Sequence, residues 1–206
     1  MIVQRIEFDG LKYLEQKLDG MEKKGEGIVK KAVNETARQA KKMLAKKAKE
    51  QYTVKGANFG AVMQIKSAKV SRPTAVIEAK GEPLPLNRFK VSHGKRAIKV
   101  QVLKAGRLKE LKVKRDGTDV KAFVNNIARK GQVRAKDTKK GKKGSAVTHF
   151  AVAQRDGKAR LGIREKYGNS MAAMLGSKWT LGELDPDIRS VLKKNIEKHI
   201  DSVLGG

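Results

Sequence analysis

Cysteine is absent from this sequence of 206 residues, which excludes disulfide bonds and zinc sites built on thiolates. Aromatic residues make up only 4% of the chain, so a core has to be packed mainly from aliphatic side chains. No apolar run approaches the roughly 18 residues that a membrane-spanning helix needs. The segment MIVQRIEFDG shows no signal-peptide pattern. These absences predict a soluble protein of a reducing compartment.

Sequence motifs of common enzymes are also missing. The chain has no GxxxxGK[ST] phosphate loop, no HExxH zinc motif and no GxSxG nucleophile turn. Its three histidines, His93, His149 and His199, are too far apart in sequence to show metal-ligand spacing. We therefore predict that the protein is not an enzyme and that it has no cofactor, no metal site and no small-molecule substrate.

The only close group of carboxylates is Glu183, Asp185 and Asp187. Such a group could act as general acid and base or bind magnesium. The alternative is structural, because Asp185 followed by Pro186 is typical of a helix start, where negative charge complements the helix dipole. The structural interpretation is the one we favour from the sequence.

Acidic residues are few beside basic ones, with 21 Asp and Glu against 48 Lys and Arg and a net charge of +27. The excess is uneven: residues 127–146 carry eight basic residues and one acid, whereas residues 177–206 carry five of each. An excess of this size repels itself in an isolated chain. It favours an acidic partner, either nucleic acid or an acidic protein surface.

The clearest helical pattern runs from Ile28 to Gln51, where apolar residues recur every three or four positions. This stripe consists of Ile28, Val29, Ala32, Val33, Thr36, Ala40, Met43, Leu44 and Ala48. Much of the remaining surface is occupied by Lys30, Lys31, Lys41, Lys42, Lys46 and Lys47. The pattern predicts one buried stripe and a solvated lysine face.

Three further helical segments are weaker or shorter. One begins after Asp9, runs through LKYLEQKLDGM and is interrupted by Gly25 and Gly27. NSMAAML predicts a single short turn, and DPDIRSVLKKNIEKHIDSVL predicts a C-terminal helix capped by Asp185. The apolar stripe of that last helix consists of Ile188, Val191, Leu192, Ile196, Ile200 and Val203.

Between the helices the apolar pattern changes to a period of two. The segments AVIEAKG, RFKVS, AIKVQVL, LKELKVKR, KAFVNNI, THFAVAQ and ARLGIRE have the length and composition of strands. Gly106 and Asp116-Gly117 are turn signals between consecutive strands. The order predicts an α+β fold in one domain over residues 1–206, with an antiparallel sheet of five to seven strands packed by an N-terminal and a C-terminal helix.

The stretch RKGQVRAKDTKKGKKG lies between two predicted strands and predicts a flexible basic loop over residues 127–146. Its candidate contacts with a partner or with nucleic acid are Arg129, Lys130, Arg134, Lys136, Lys139, Lys140, Lys142 and Lys143. Three interpretations stay open: a solvated hairpin tip, a docking arm onto an acidic neighbouring subunit, or an arm facing the DNA end. None of them reads a base sequence.

At GEPLPLNRFKVSHGKRAIKVQV, residues 81–102, the chain resembles the prophage minor tail protein Z family of tailed bacteriophages. The resemblance lies in the order of elements over residues 10–204: a lysine-rich helix, a Leu-Pro-Leu segment leading into a basic strand, hairpins, a phenylalanine-containing strand, and the turn and helix of YGNSMAAML. Members often have Gly-Pro-Ser before the short helix, where this chain has Gly168, Asn169 and Ser170.

The resemblance implies a structural virion protein that completes the tail at its head-proximal, or neck, end and acts in head–tail joining. It implies a homo-oligomeric ring, with a hexamer as the expected form. Its neighbours would be other tail or neck proteins, such as the tail terminator and the head–tail connector, and contact with the DNA end is a further expectation. It places the protein in the virion tail, and in the host cytoplasm during assembly. The alternative from the residues alone is a basic protein that binds nucleic acid without sequence specificity.

Overall fold

A computed structural model of the protein describes residues 2–9, 22–93, 98–115, 118–133, 146–155 and 163–204. Three α-helices are present among them: α1 (Glu22–Gln51), α2 (Met171–Leu175) and α3 (Glu183–Leu204). A 3-10 turn at Leu86–Arg88 and a π-helical turn at Lys178–Gly182 accompany them. The helices occur together with small antiparallel sheets, which confirms the predicted α+β class.

The described strands form sheets of only two or three strands. In chain order they are β1 (Ile2–Asp9), β2 (Met63–Lys66), β3 (Thr74–Gly81), β4 (Pro83–Pro85), β5 (Lys90–His93), β6 (Ile98–Gln101), β7 (Lys109–Glu110), β8 (Lys112–Arg115), β9 (Thr118–Lys121), β10 (Phe123–Val133), β11 (Ala146–Arg155), β12 (Ile163–Glu165) and β13 (Tyr167–Ser170). They pair in the orders β1-β3-β2, β5-β6-β7, β8-β9, β10-β11-β12 and β4-β13. The predicted single sheet of five to seven strands is therefore corrected, because a period of two identifies a strand but not its partner.

The chain divides into two compact units. The first comprises Met1–Tyr52, Ala57–Pro83 and Asn169–Gly206, and the second comprises Thr53–Gly56 and Leu84–Gly168. From the sequence we predicted one domain over residues 1–206. The second unit is inserted within the first. The chain therefore passes from one unit to the other at several points, and no single linker joins them. For this reason no change in composition marks the boundary.

The core of the first unit forms where α1 contacts both β3 and α3. The predicted stripe of α1 is buried except for the half-buried Met43, and Val33 and Leu44 have no exposed surface. On α3, Ile196 is fully buried and Ile200 is 8% exposed, whereas Leu192 is half-buried. Helical periodicity therefore identified the packing faces of both helices.

The helix ends differ from their predicted positions. Helix α1 begins at Glu22, so Gly25 and Gly27 lie inside it and do not interrupt it. Helix α3 begins at Glu183, before the predicted cap Asp185, and Pro186 stands in its first turn. The predicted helix through LKYLEQKLDGM lies outside the described residues. Helix ends are decided by packing around them, and local signals specify them only within a few residues.

Two polar contacts, each with at least one buried side chain, fix the first unit internally. The Asn195 amide of α3 donates a hydrogen bond of 2.9 Å to the Thr36 hydroxyl, which donates one of 2.8 Å to the Ala32 carbonyl. On the central strand β3, the buried Glu78 accepts a bond of 2.7 Å from Lys66 Nζ of β2. Because buried polar groups need partners, these contacts specify how α3 aligns with α1 and how β2 aligns with β3.

The second unit is organised around the Leu-Pro-Leu segment. Phe89 is fully buried and Leu86 is 6% exposed. The Leu86 backbone N–H donates to the Lys166 carbonyl at 3.0 Å, and the Lys166 N–H donates to the Val152 carbonyl of β11 at 2.8 Å. Gly168 lies so close to the Phe89 ring that a Cβ there would be 2.8 Å from its Cε2. Segments far apart in sequence thus meet in one packed region.

Two turns that the sequence predicts belong to the second unit. Strands β8 and β9 pair with Arg115 opposite Thr118, and the predicted turn at Asp116-Gly117 lies outside the described residues. At the other predicted turn, the Gly106 N–H donates to the Leu103 carbonyl at 3.0 Å. Gly106 therefore located the connection between β6 and β7 correctly.

Candidate functional site

Both ends of the predicted basic loop, residues 127–133 and residue 146, belong to strands in the structure. Strand β10 continues to Val133, and β11 already begins at Ala146, which pairs with Val133. This corrects the predicted loop boundaries of residues 127–146, because a strand with few apolar residues does not show a clear period of two.

Among the candidate contact residues, Arg129 and Lys130 belong to the backbone of β10, between the paired residues Ala128 and Val133, where the register shifts. The others lie outside the described residues, namely Arg134, Lys136, Lys139, Lys140, Lys142 and Lys143. The structure therefore describes only the backbone of two of the eight residues, and the predicted contact site stays a prediction.

The carboxylates Glu183, Asp185 and Asp187 are placed at the beginning of α3. Glu183 lies 2.7 Å from Lys47 Nζ, and Asp185 accepts a hydrogen bond of 2.8 Å from Arg189 one turn later. The hydrogen bond from Lys47 to Glu183 raises the pKa of the Lys47 ammonium. These contacts favour the structural interpretation for Glu183 and Asp185, in which they complement the helix dipole.

The histidines are not brought into a common site by any described contact. His93 lies in β5 and His149 in β11, while His199 on α3 places its Nε2 3.1 Å from Glu35 Oε2 of α1. No group of three metal-binding side chains occurs in the part of the chain that the structure describes. None of the described helices is long and apolar enough to cross a membrane.

A row of exposed cations lies on the solvent side of α1. We define the basic stripe as Lys31, Arg38, Lys42, Lys46 and Lys49, all of which are exposed. At 3.6 residues per turn these positions fall within a sector of about 80° and extend over about 27 Å of helix. No member forms a salt bridge or a side-chain hydrogen bond with another described residue.

One acid lies in the same sector of α1, and α3 neutralises it. Glu35 accepts a hydrogen bond of 3.0 Å from Lys198 Nζ and contacts His199. The hydrogen bond from Lys198 is the main cause of the lowered pKa of the Glu35 carboxyl. Burial opposes this lowering, and the contact with His199 adds to it. Within its sector the stripe therefore contains no uncompensated negative charge, and the exposed Glu50 borders its C-terminal end, one residue after Lys49.

Two lysines that we predicted to be part of the solvated face have structural roles. Lys41 Nζ donates a hydrogen bond of 2.8 Å to the Met63 carbonyl at the start of β2, and Lys47 pairs with Glu183 of α3. Both are half-buried. The sequence signal could not separate these two from the stripe, because their partners lie far away along the chain.

The Glu35 contacts make the stability of the first unit depend on pH. Because the folded pKa of Glu35 is below its ordinary value of 4.5, its contribution is fully present above pH 4.5 and is lost as pH falls through the folded value. We expect Glu35→Gln to cost less than about 1 kcal/mol near neutral pH, since the pair is partly exposed. The cost should shrink in acid, as measured by urea unfolding at successive pH values.

Glu26→Gln is the matched control for this pH experiment, because Glu26 is an exposed glutamate on the same helix. Its unfolding midpoints should follow those of the wild-type protein at every pH. Identical acid profiles for Glu35→Gln and the wild-type protein would show that the contacts with Lys198 and His199 contribute no pH dependence.

Comparisons with family models, with curated proteins and with solved structures found no match for this chain. Its function must therefore be argued from its own residues. The described surface offers a row of exposed cations on α1, and the carboxylates of Glu183 and Asp185 are paired within the fold.

Proposed function

We propose that this chain is a structural virion protein of a tailed phage or phage-like particle. In this proposal it is a minor tail, or tail-completion, protein at the head-proximal end of the tail, and it acts in tail assembly and head–tail joining. Copies form a homo-oligomeric ring, with a hexamer expected, that contacts the tail terminator and the head–tail connector. It works by contact with neighbours and carries out no chemical reaction.

The observation that carries the proposal concerns the two segments on which the family resemblance depends. Leu86 of the Leu-Pro-Leu segment bonds to Lys166 beside YGNSMAAML, and Gly168 of that second segment packs on Phe89. The segments are about eighty residues apart in sequence and meet in the folded second unit. The residues of the resemblance therefore serve packing, as expected if members of such a family share a framework without sharing a catalytic site.

Charge also supports a protein that works among neighbours. A net charge of +27 on 206 residues opposes the association of free copies unless acidic partners compensate it. This charge suits a subunit that is completed by its assembly.

The direct test is a null allele in the phage or prophage that encodes the chain. We expect heads and tails to form separately and to remain unjoined, so that infectious titre falls while packaged heads persist. A tagged copy supplied in trans should restore joining and should co-sediment with tails. Electron microscopy of these tails should show density for a closed ring at the head-proximal end.

Two outcomes would contradict the proposal. One is unchanged titre and joining in the null allele, and the other is a tagged chain that sediments apart from tails. A chain that sediments only with free nucleic acid would favour the alternative function, a nucleic-acid-binding protein without sequence specificity.

A further inference from the structure

We propose that the basic stripe of α1 binds the phosphodiester backbone of duplex nucleic acid. The stripe presents Lys31, Arg38, Lys42, Lys46 and Lys49 in a straight row on a helix whose opposite side is buried in the first unit. A duplex carries about one negative charge per 1.7 Å of its axis. A row about 27 Å long therefore faces many phosphates, and each flexible side chain can reach one.

The composition of the stripe decides between nucleic acid and an acidic protein as the partner. Protein interfaces are depleted in lysine and depend on a few buried apolar or aromatic anchors. The stripe is mostly lysine, and no large apolar side chain is exposed on the described part of α1. The exposed large apolar residues among those described are Val70, Leu108, Ile163, Tyr167 and Trp179. A lysine row without an apolar anchor is suited to phosphates.

The internal pairing of the helix also favours an external anion. Lys41 and Lys47 are held by the Met63 carbonyl and by Glu183, whereas the stripe cations have no such partners among the described residues. Glu35, the acid in the same sector, is occupied by Lys198 and His199. A duplex approaching this face therefore meets cations that do not have to leave internal salt bridges.

Contact with phosphates determines the specificity that this surface can have. Contacts to phosphates position a protein on a duplex but do not read its sequence. The binding should therefore be independent of sequence and should weaken steeply with salt through counterion release. This inference goes beyond the proposed function, because it assigns a ligand to a surface that tail assembly does not require.

The test compares two variants of the free protein that lose the same charge. The stripe variant is Lys31→Gln, Arg38→Gln, Lys42→Gln and Lys46→Gln. The control variant is Lys55→Gln, Lys90→Gln, Lys104→Gln and Arg107→Gln, which are exposed residues of the second unit. Each removes three lysines and one arginine. Binding to a random-sequence duplex DNA is measured by fluorescence anisotropy over a range of salt concentrations.

We expect the stripe variant to bind about tenfold to a hundredfold more weakly at fixed low salt. The slope of log affinity against log salt should fall by about 3 to 4, since each lost phosphate contact removes about 0.9. The control variant should keep most of the wild-type affinity and most of the wild-type salt slope. Residual binding is expected from residues 127–146, whose eight basic residues are unchanged.

A third variant and two other polyanions complete the design. Replacing Lys31, Lys42 and Lys46 by arginine keeps the charge and should retain the slope. Duplex RNA should show the same loss in the stripe variant, because both duplexes present phosphates. Poly-glutamate at equal charge should displace DNA poorly, since its charge is less dense.

Equal slopes for the stripe and control variants would overturn the proposal. So would displacement by poly-glutamate as effective as displacement by DNA, because the surface would then fit an acidic protein. Circular dichroism should confirm that both variants are folded, since the replaced residues are exposed. The assay uses free protein, so its failure is distinguishable from failure of tail joining in the null allele.

Discussion

Leu44→Asp and Ile196→Asp should each lower the free energy of unfolding by about 3–5 kcal/mol. Both side chains are fully buried, Leu44 on α1 and Ile196 on α3. Each substitution removes apolar contacts and places an unpaired carboxylate between the two helices. Against a total stability of about 5–15 kcal/mol, such a loss leaves much of the first unit unfolded.

Urea unfolding monitored by tryptophan fluorescence measures this effect. The chain has one tryptophan, Trp179, and it belongs to the first unit and is 43% exposed. Leu44→Met keeps the side-chain volume and should cost less than about 1.5 kcal/mol. Ser190→Asp introduces the same charge at an exposed position of α3 and should change stability by no more than about 0.5 kcal/mol.

A wild-type unfolding midpoint for Leu44→Asp or for Ile196→Asp would contradict this description of the core. The same result for both would mean that α1 and α3 do not bury these faces against each other. A loss in Ser190→Asp equal to that in Ile196→Asp would assign the effect to charge alone.

Gly168→Ala should destabilise the second unit by about 1–3 kcal/mol through overpacking. A Cβ at Gly168 would lie 2.8 Å from Phe89 Cε2, 3.0 Å from Phe89 Cζ and 3.2 Å from Leu86 Cδ2. Phe89 is fully buried, so its ring has little space to move. Glycine is required here by the close approach of the ring.

A double-mutant cycle with Phe89→Leu tests whether the ring is the cause. Phe89→Leu alone leaves a cavity and costs stability, but the smaller side chain gives room for the Gly168→Ala methyl group. The double variant should therefore be more stable than the sum of the two single effects predicts. Thermal unfolding followed by circular dichroism supplies the four values.

Gly27→Ala is the matched control for this second prediction. Gly27 lies inside α1, and a Cβ built there meets no atom within 4 Å. The substitution should raise stability by about 0.5–1 kcal/mol, because alanine restricts the unfolded chain and favours the helix. A neutral Gly168→Ala, or strict additivity in the cycle, would contradict the proposed packing of Phe89.

Part of the candidate site could be predicted from the local sequence of α1. The lysine face of α1 was predictable from spacing, because a helix brings residues three and four apart onto one side. From spacing alone, Lys41 and Lys47 were nevertheless grouped with Lys42 and Lys46. Their separation depends on the Met63 carbonyl and on Glu183, which reach α1 only when the chain folds.

The start of the predicted basic loop could not be predicted from composition. Its charge was evident, but strand β10 extends through Arg129 and Lys130 to Val133. A strand can be held by backbone hydrogen bonds to its neighbour even where its side chains are not apolar. Composition alone therefore placed the start of the loop too early.

The sequence by itself determined the α+β class, the buried stripes of α1 and α3, and most strand positions, because each depends on a short period in the pattern of apolar residues. Only the tertiary structure decided which strands share a sheet, which lysines are taken by internal partners, and that Gly168 must be small beside Phe89. It also decided that Asn195 bonds to Thr36 and that Lys198 neutralises Glu35. The physical reason is that periodicity reports on neighbours within one element, whereas these contacts join residues that only the folded chain brings together.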